Sequence, residues 1–185
     1  MPHHESHPSP ASRPAEDFVK YCRDVPDFPK KGIIFRDITN LLKNGPVFKR
    51  AIDEIARHYG STRVDTIVSI EARGFIIGSA LAYRMGSGLV PVRKKGKLPW
   101  KVYRKCYDLE YGQDELEVHQ DGIQAGQNIL IVDDVIATGG TVEAVAHMVR
   151  EMRGNIVGAA FLIELMGLKG AEKIKDIPTF SLIKY

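Results

Sequence analysis

The sequence predicts an α/β fold with a central, mainly parallel sheet flanked by helices and a flexible lid or hairpin. Three observations carry that prediction. Short apolar runs recur along the chain, and most are followed by a segment of helical periodicity. The run Ile129 to Val132 is unbroken and rich in β-branched residues, as a strand buried on both faces requires. The residues that join this run to the next helical segment are small, which suits a tight loop at a strand end.

The elements follow in order. Met1 to Ala15 holds four prolines, three histidines and almost nothing to bury, so residues 1–15 are expected to form a flexible extension. A metal role for His3, His4 and His7 is the weaker reading of that composition. Residues 16–185 make one domain, since 185 residues with 44% hydrophobic content build a single good core and not two. Glu16 to Arg23 has the pattern of a short helix, and the prolines of Val25 to Lys31 mark a connection. Ile33 to Ile38 turns apolar again. Val47 to Tyr59 reads as an amphipathic helix, Thr66 to Ile70 as a buried strand, Phe75 to Met85 as a nearly all-apolar helix, and Leu89 to Arg93 as a strand. Beyond Ile129 to Val132, the residues Val142, Val145, Ala146, Val149 and Met152 recur at helical spacing. Gly158 to Ile163 and Phe180 to Ile183 supply two more strands.

Residues 94–127 lack sustained apolar periodicity, although Leu116, Val118 and Tyr111 suit a small hairpin. A segment that long without a core of its own is expected to be a lid that closes over substrate, with an ordinary surface hairpin as the alternative.

The formal charge of +3 is small for a nucleic-acid binder, so its distribution matters more than its size. Arg93 to Lys105 carries seven cations and no acid, whereas Asp108 to Asp121 carries six carboxylates and no Lys or Arg. No nucleic-acid or membrane partner is expected. Two cysteines, Cys22 and Cys106, make neither a disulfide framework nor a metal motif, which favours a reducing cytoplasm. No apolar run approaches a membrane span, and no secretory signal opens the chain.

The most informative stretch is ILIVDDVIATGGTV, from Ile129 to Val142. Ala137, Thr138, Gly139, Gly140 and Thr141 have little bulk, so backbone N–H groups can close around an anion at a helix N-terminus, with two hydroxyls as further donors. Asp133 and Asp134 just before this nest would repel a phosphate but can accept hydrogen bonds from sugar hydroxyls. A ligand with both a phosphate and a diol, such as a ribose 5-phosphate, satisfies the two demands. The loop lacks the lysine of a Walker A motif, and Pro91 stands where a dinucleotide fingerprint needs its third glycine. In VSIEARGF, Arg73 stands at another strand's carboxyl end, with a planar fork suited to a diphosphate; pairing with Glu71 is the plain alternative. Gly74 is expected to relax the backbone before the helix. The cations Arg93, Lys94 and Lys97 follow a strand directly and suit the same diphosphate.

The aspartate-and-glycine stretch resembles the phosphoribosyl-diphosphate motif of type I phosphoribosyltransferases. DFPKKGIIFRDI (Asp27 to Ile38), EARGF, RKKGKLP, LEYG (Leu109 to Gly112) and the closing SLIKY together look like the adenine phosphoribosyltransferase family, over about Val25 to Tyr185. The resemblance implies a type I phosphoribosyltransferase fold and a reaction of adenine with 5-phosphoribosyl 1-diphosphate to give AMP and diphosphate. It implies adenine between Phe35 and Val135, read by backbone groups of Ile34 and Arg36. Without the resemblance, Phe35 reads first as a core residue beside Ile33 and Ile34. It further implies Glu110 in proton transfer, Arg73 in catalysis and diphosphate binding, and Tyr111 closing the lid; Glu110 and Tyr111 read equally well as solvent-facing hairpin residues. Mg²⁺ is expected to arrive on the diphosphate and its waters, with no direct protein ligand. A homodimer is expected, with Arg93 to Lys97 near the partner's site. A 6-oxopurine enzyme, a phosphoribosyl-diphosphate sensor and a diphosphokinase remain the alternatives.

Overall fold

The computed structural model describes residues 16–109 and 112–185; the expected extension, residues 1–15, and two expected site residues, Glu110 and Tyr111, lie outside the described residues. A short helix, α1 (Glu16–Val19), precedes strands β1 (Arg23–Pro26) and β2 (Ile34–Asp37), which pair antiparallel with Val25 opposite Phe35. The helix expected through Arg23 therefore ends early, and the expected connection from Val25 begins inside a strand. Helix α2 (Thr39–Lys43), which had no counterpart in the sequence pattern, buries Leu41.

Helix α3 (Gly45–His58) buries Val47, Ala51, Ile52 and Ile55 on one stripe, and the Asn44 side chain caps its start by accepting the Val47 N–H at 3.3 Å. Strand β3 (Thr66–Ile70) is buried along its whole length and leads into α4 (Gly74–Met85), which Gly86 ends in the left-handed conformation at φ 69°. Strand β4 (Gly88–Lys94) follows. Then come the long hairpin strands β5 (Val102–Leu109) and β6 (Gly112–His119), strand β7 (Asn128–Ile136), helix α5 (Gly140–Glu151), and strands β8 (Asn155–Glu164) and β9 (Thr179–Lys184).

The large sheet has the order β5-β6-β4-β3-β7-β8-β9, parallel from β4 to β9 and antiparallel at the β4, β6 and β5 edge. Residues alternate between two cores, as strand geometry demands. Leu130 and Val132 of β7 join α3 and α4 in one, while Ile129 and Ile131 join α5 in the other.

Residues 94–127 differ from the expected coreless segment. β5 and β6 pair along eight positions each, β6 pairs with β4 at Arg93–Glu117 and Lys94–Leu116, and Leu116 and Val118 are buried in the α5 core. The hairpin base is thus built into the sheet, and a lid can involve only the part nearer its tip. No helix among the described residues is long and apolar enough to cross a membrane.

Candidate active site

Strands β3, β4 and β7 lie side by side and parallel, so the segments 71–74 and 137–140 and the end of β4 with the residues after it, 93–97, meet at one edge. Strand β7 runs on to Ile136, which corrects the expected end at Val132. Asp133 and Asp134 therefore sit within a paired strand, opposite the β8 ladder, and not in the loop. Strand pairing fixes their backbone more firmly than a loop would.

The small-residue loop enters α5 through Gly139, left-handed at φ 80°, and the first helical bond runs from the Glu143 N–H to the Gly139 carbonyl at 2.9 Å. The N–H groups of the first turn have no partner within the helix, which suits an anion there. Thr138 is exposed and Thr141 half-buried. Behind the loop lies a 3-10 helix, Gly170–Ile174. A Cβ at Gly139 would collide with the Gly170 carbonyl, and one at Gly170 with the Ala137 carbonyl. The loop holds its shape through backbone packed on backbone.

Asp133 accepts the Asp134 N–H on Oδ1 at 2.8 Å. A Cβ on Gly74 would lie 2.7 Å from that same Oδ1, so the glycine gives room to the carboxylate. The expected reason, backbone relaxation, is replaced by close approach, because Gly74 is not among the left-handed glycines. Burial, reinforced by the Asp134 charge, raises the Asp133 carboxyl well above the usual range. Burial also raises Asp134, against the pull of Arg73. Arg73 Nε lies 2.7 Å from Asp134 Oδ2, yet that buried oxygen receives no aligned hydrogen bond. It is an acceptor in want of a donor.

Arg73 also places its guanidinium carbon 4.6 Å from the centre of the Phe35 ring, and Phe28 meets the other edge of Phe35 at 5.2 Å, T-shaped. Arg73 is therefore committed to Asp134 and Phe35 and not to Glu71, the plain partner considered from sequence. Glu71 instead gathers the basic segment. It accepts the Lys94 N–H at 3.0 Å, contacts Arg93 Nε at 3.3 Å and pairs closely with Lys97. Burial alone would raise Glu71, but these donors hold it below its ordinary value. Three cations find the acidic run of β6, Lys94 with Asp114 at 2.9 Å, Lys95 with Glu115 at 2.9 Å and Arg104 with Glu117 at 3.0 Å, while Lys105 pairs with Glu151 of α5 at 3.1 Å.

A small cleft of about 250 Å³ between the hairpin and α5 adjoins this edge, with Lys105, Tyr107, Gly140 and His147 among its lining. A larger one of about 610 Å³ lies at the far end of α3 and α4, lined by Asp53, Arg57, Arg63 and Arg84, and contains none of the expected site residues.

Residues 37–184 match the model of the phosphoribosyl transferase domain. Adenine phosphoribosyltransferase of Trichlorobacter lovleyi is 54% identical over 170 residues, covering 92% of this chain and 99% of that one. That of Acidobacterium capsulatum is 55% identical over 170 residues, covering 92% and 94%. Among solved structures, the adenine phosphoribosyltransferase of Thermoanaerobacter pseudethanolicus superposes with a TM-score of 0.90 at 46% identity, covering 92% of this chain and 99% of its own. The Saccharomyces cerevisiae enzyme, solved with adenine and an imino-altritol bisphosphate, gives 0.86 at 38% identity, covering 91% and 97%. The chain belongs to the adenine phosphoribosyltransferase family.

Placed on this adenine phosphoribosyltransferase fold, most of the expected residues converge. Arg73, Asp133, Asp134 and the segment from Ala137 to Thr141 occupy the strand-end edge, and Phe35 reaches it through Arg73. Val135 pairs with Ile163 one residue beyond Asp134. Ile34 is half exposed, and the Arg36 side chain turns to Asp24 and Tyr185. Arg93, Lys94 and Lys97 are already neutralised by Glu71 and Asp114. Three residues escaped the sequence reading: Glu71 as the organiser of the cations, Gly170 behind the small-residue loop, and Tyr107, whose hydroxyl meets Thr141 and lies 3.4 Å from Asp114. The charge of Glu71 within EARGF was a visible signal; Gly170 carried none.

Proposed function

We propose that the chain transfers the phosphoribosyl group of 5-phosphoribosyl 1-diphosphate to N9 of adenine, giving AMP and diphosphate with inversion at the anomeric carbon, a purine-salvage reaction. The observation that carries this reading is the position of Arg73, whose guanidinium joins the Phe35 ring to the Asp134 carboxylate. One side chain suited to a diphosphate thus lies between a flat surface suited to a base and an acceptor suited to a diol.

Adenine stacks between Phe35 and Val135, with backbone groups of Ile34 and Arg36 reading its edge; stacking contributes on the order of 1–3 kcal/mol. Ala137 to Thr141 anchor the 5-phosphate at a distance from the reacting carbon, so that binding energy serves orientation. Asp133 and Asp134 accept the ribose hydroxyls. As the bond to diphosphate loosens, the ribose gains positive charge, which the same carboxylates favour. Arg73, Arg93, Lys94 and Lys97 take up the charge of the departing diphosphate, the last three exchanging their internal carboxylates for it. Glu110 receives the N7 proton as N9 attacks, and Tyr111 closes over the site.

Mg²⁺ bound to the diphosphate supplies charge neutralisation of the leaving group. Mg²⁺ prefers hard oxygen donors, which the substrate diphosphate and waters supply, beside the carboxylate oxygens of Asp133 and Asp134. The free Cys22 and Cys106 suit a reducing compartment, supporting the cytoplasm. A homodimer completes the reading, supported by the exposed Tyr83 and Ile76 of α4.

The test is AMP formation from radiolabelled adenine, Mg²⁺ and phosphoribosyl diphosphate, with hypoxanthine and guanine in parallel. Adenine-selective product is expected. Product from a 6-oxopurine alone overturns the base assignment, and no product from any base overturns the reaction. Glu110→Leu should lower turnover by roughly 10²- to 10⁴-fold while leaving phosphoribosyl-diphosphate binding nearly intact; turnover equal to the parent removes Glu110 from proton transfer.

A further inference from the structure

Strands β1 and β2 form a sheet of their own, hydrogen-bonded to no strand of the large sheet. Yet β2 must meet the phosphate-binding edge at a fixed angle if it is to read a base. Side chains have to supply that angle. Successive residues of a strand project to opposite faces, and Phe35 and Arg36 do so: Phe35 meets Arg73, while Arg36 turns to Tyr185.

The second contact is a built one. The Arg36 guanidinium carbon lies 3.9 Å from the centre of the Tyr185 ring, and the same guanidinium pairs closely with Asp24, directly opposite on β1. Tyr185 is itself fixed on both sides of its backbone. Its N–H donates to the Glu164 carbonyl at 2.9 Å, and its own carbonyl accepts the Met166 N–H at 2.8 Å. Its hydroxyl meets the Cys22 thiol just before β1, and burial pushes that phenol up to about 12. The ring therefore ties β1 and β2 to the end of β9 and to the chain after β8.

We propose that Tyr185, acting through Arg36, is a positioning residue for the base: it holds β2 at the angle that presents Phe35, Ile34 and the Arg36 backbone to adenine. The inference rests on the reading of β2 as the base-binding strand. These contacts of Tyr185 run to β1, β2 and the Glu164 to Met166 stretch, and not to Arg73 or Ala137 to Thr141, so its effect should fall on adenine and spare phosphoribosyl diphosphate.

Steady-state kinetics of the full chain test this with Tyr185→Ala, Tyr185→Phe and Phe35→Ala. Tyr185→Ala should raise the KM for adenine roughly three- to thirty-fold, the range of a partly desolvated cation–ring contact. The KM for phosphoribosyl diphosphate and kcat should move less than about twofold on the same scale. Tyr185→Phe keeps the stack and should stay near the parent. If Tyr185→Ala does not fold, Arg36→Met, which removes the cation and keeps the chain length, carries the same expectation. An unchanged adenine KM in Tyr185→Ala, or equal loss for both substrates, overturns the proposal. Phe35→Ala separates the two failures: a raised adenine KM there with none in Tyr185→Ala sinks the clamp alone, whereas no change in either variant sinks the base-site reading as well.

Discussion

At the scale of single residues, the site turns on the room given to one carboxylate. Asp133 stays where it is because Gly74 has no side chain; a methyl there would press on Oδ1 from 2.7 Å and on backbone beyond it. Gly74→Ala must therefore displace Asp133, and the expected outcome is a fall of roughly tenfold or more in kcat over KM for phosphoribosyl diphosphate. Substrate kinetics beside a thermal melt check it, since a fall in stability with kinetics unchanged would disconnect the glycine from the site. Asp133 and Asp134 also predict a proton. Burial raises both carboxyls, and the Asp134 charge adds to the rise at Asp133, so the folded state binds protons more readily than the unfolded chain. The contribution of the pair to stability is thus greatest below its unfolded pKa and is lost as pH rises through the raised folded value. Ribose hydroxyls favour the ionised form, so phosphoribosyl diphosphate should release protons from the pair on binding. Calorimetry at mildly acidic pH in buffers of different ionisation enthalpy should record that release, and its disappearance in Asp133→Asn; proton uptake in the parent would contradict the assignment.

At the scale of elements, the hairpin and the segment after β4 are organised by charge. Glu71, just after β3, collects Arg93, Lys97 and the Lys94 N–H, so the cations are gathered at the strand-end edge two residues from Arg73. Glu71→Gln should loosen that segment and cost about 1 kcal/mol of stability at neutral pH, because the partner cations are partly exposed and screened. The Glu71 carboxyl is held below its ordinary 4.5, so its contribution is present above that value and lost as pH falls through the lowered one. Urea unfolding should therefore show the parent and variant apart at pH 7 and converging in acid; a gap that persists in acid would mean that charge is not its source. The same elements show what the sequence made legible. Thr66 to Ile70 was legible to the residue because Ile67, Val68 and Ile70 put β-branched apolar side chains on both faces. Of the hairpin, only Leu116 and Val118 of β6 were legible, because Arg104 of β5 joins Glu115 and Glu117 of β6 through paired charges, which leave no sustained apolar period. The tight loop before α5 was legible from its small residues, whereas Gly170 supports it from 31 residues beyond Gly139, a contact that only the fold creates.

At the scale of the whole molecule, the unresolved demand is the outward face of α4. Its inner side buries Ile77, Leu81 and Ala82, yet Tyr83 is 92% exposed, Ile76 is 44% exposed and Leu89 of the adjoining β4 is 41% exposed. Large apolar groups clustered on one face favour association, and a closed pair is the commonest way to cover them. The basic segment 93–97 leaves the same strand β4, so a second copy docked here stands near those cations. Sedimentation at micromolar concentration is expected to give twice the 20.6 kDa chain mass. Tyr83→Glu would bury a charge in such a contact and should shift the chain toward monomer, by roughly 3 kcal/mol or more if the site is fully desolvated. If Arg93 to Lys97 complete the partner's site, kcat should fall with the dimer and recover as protein concentration rises. A parent chain that sediments as a monomer with full turnover would remove both the dimer and the shared site. A dimer whose Tyr83→Glu monomer keeps full turnover would retain the association and leave each site complete in one chain.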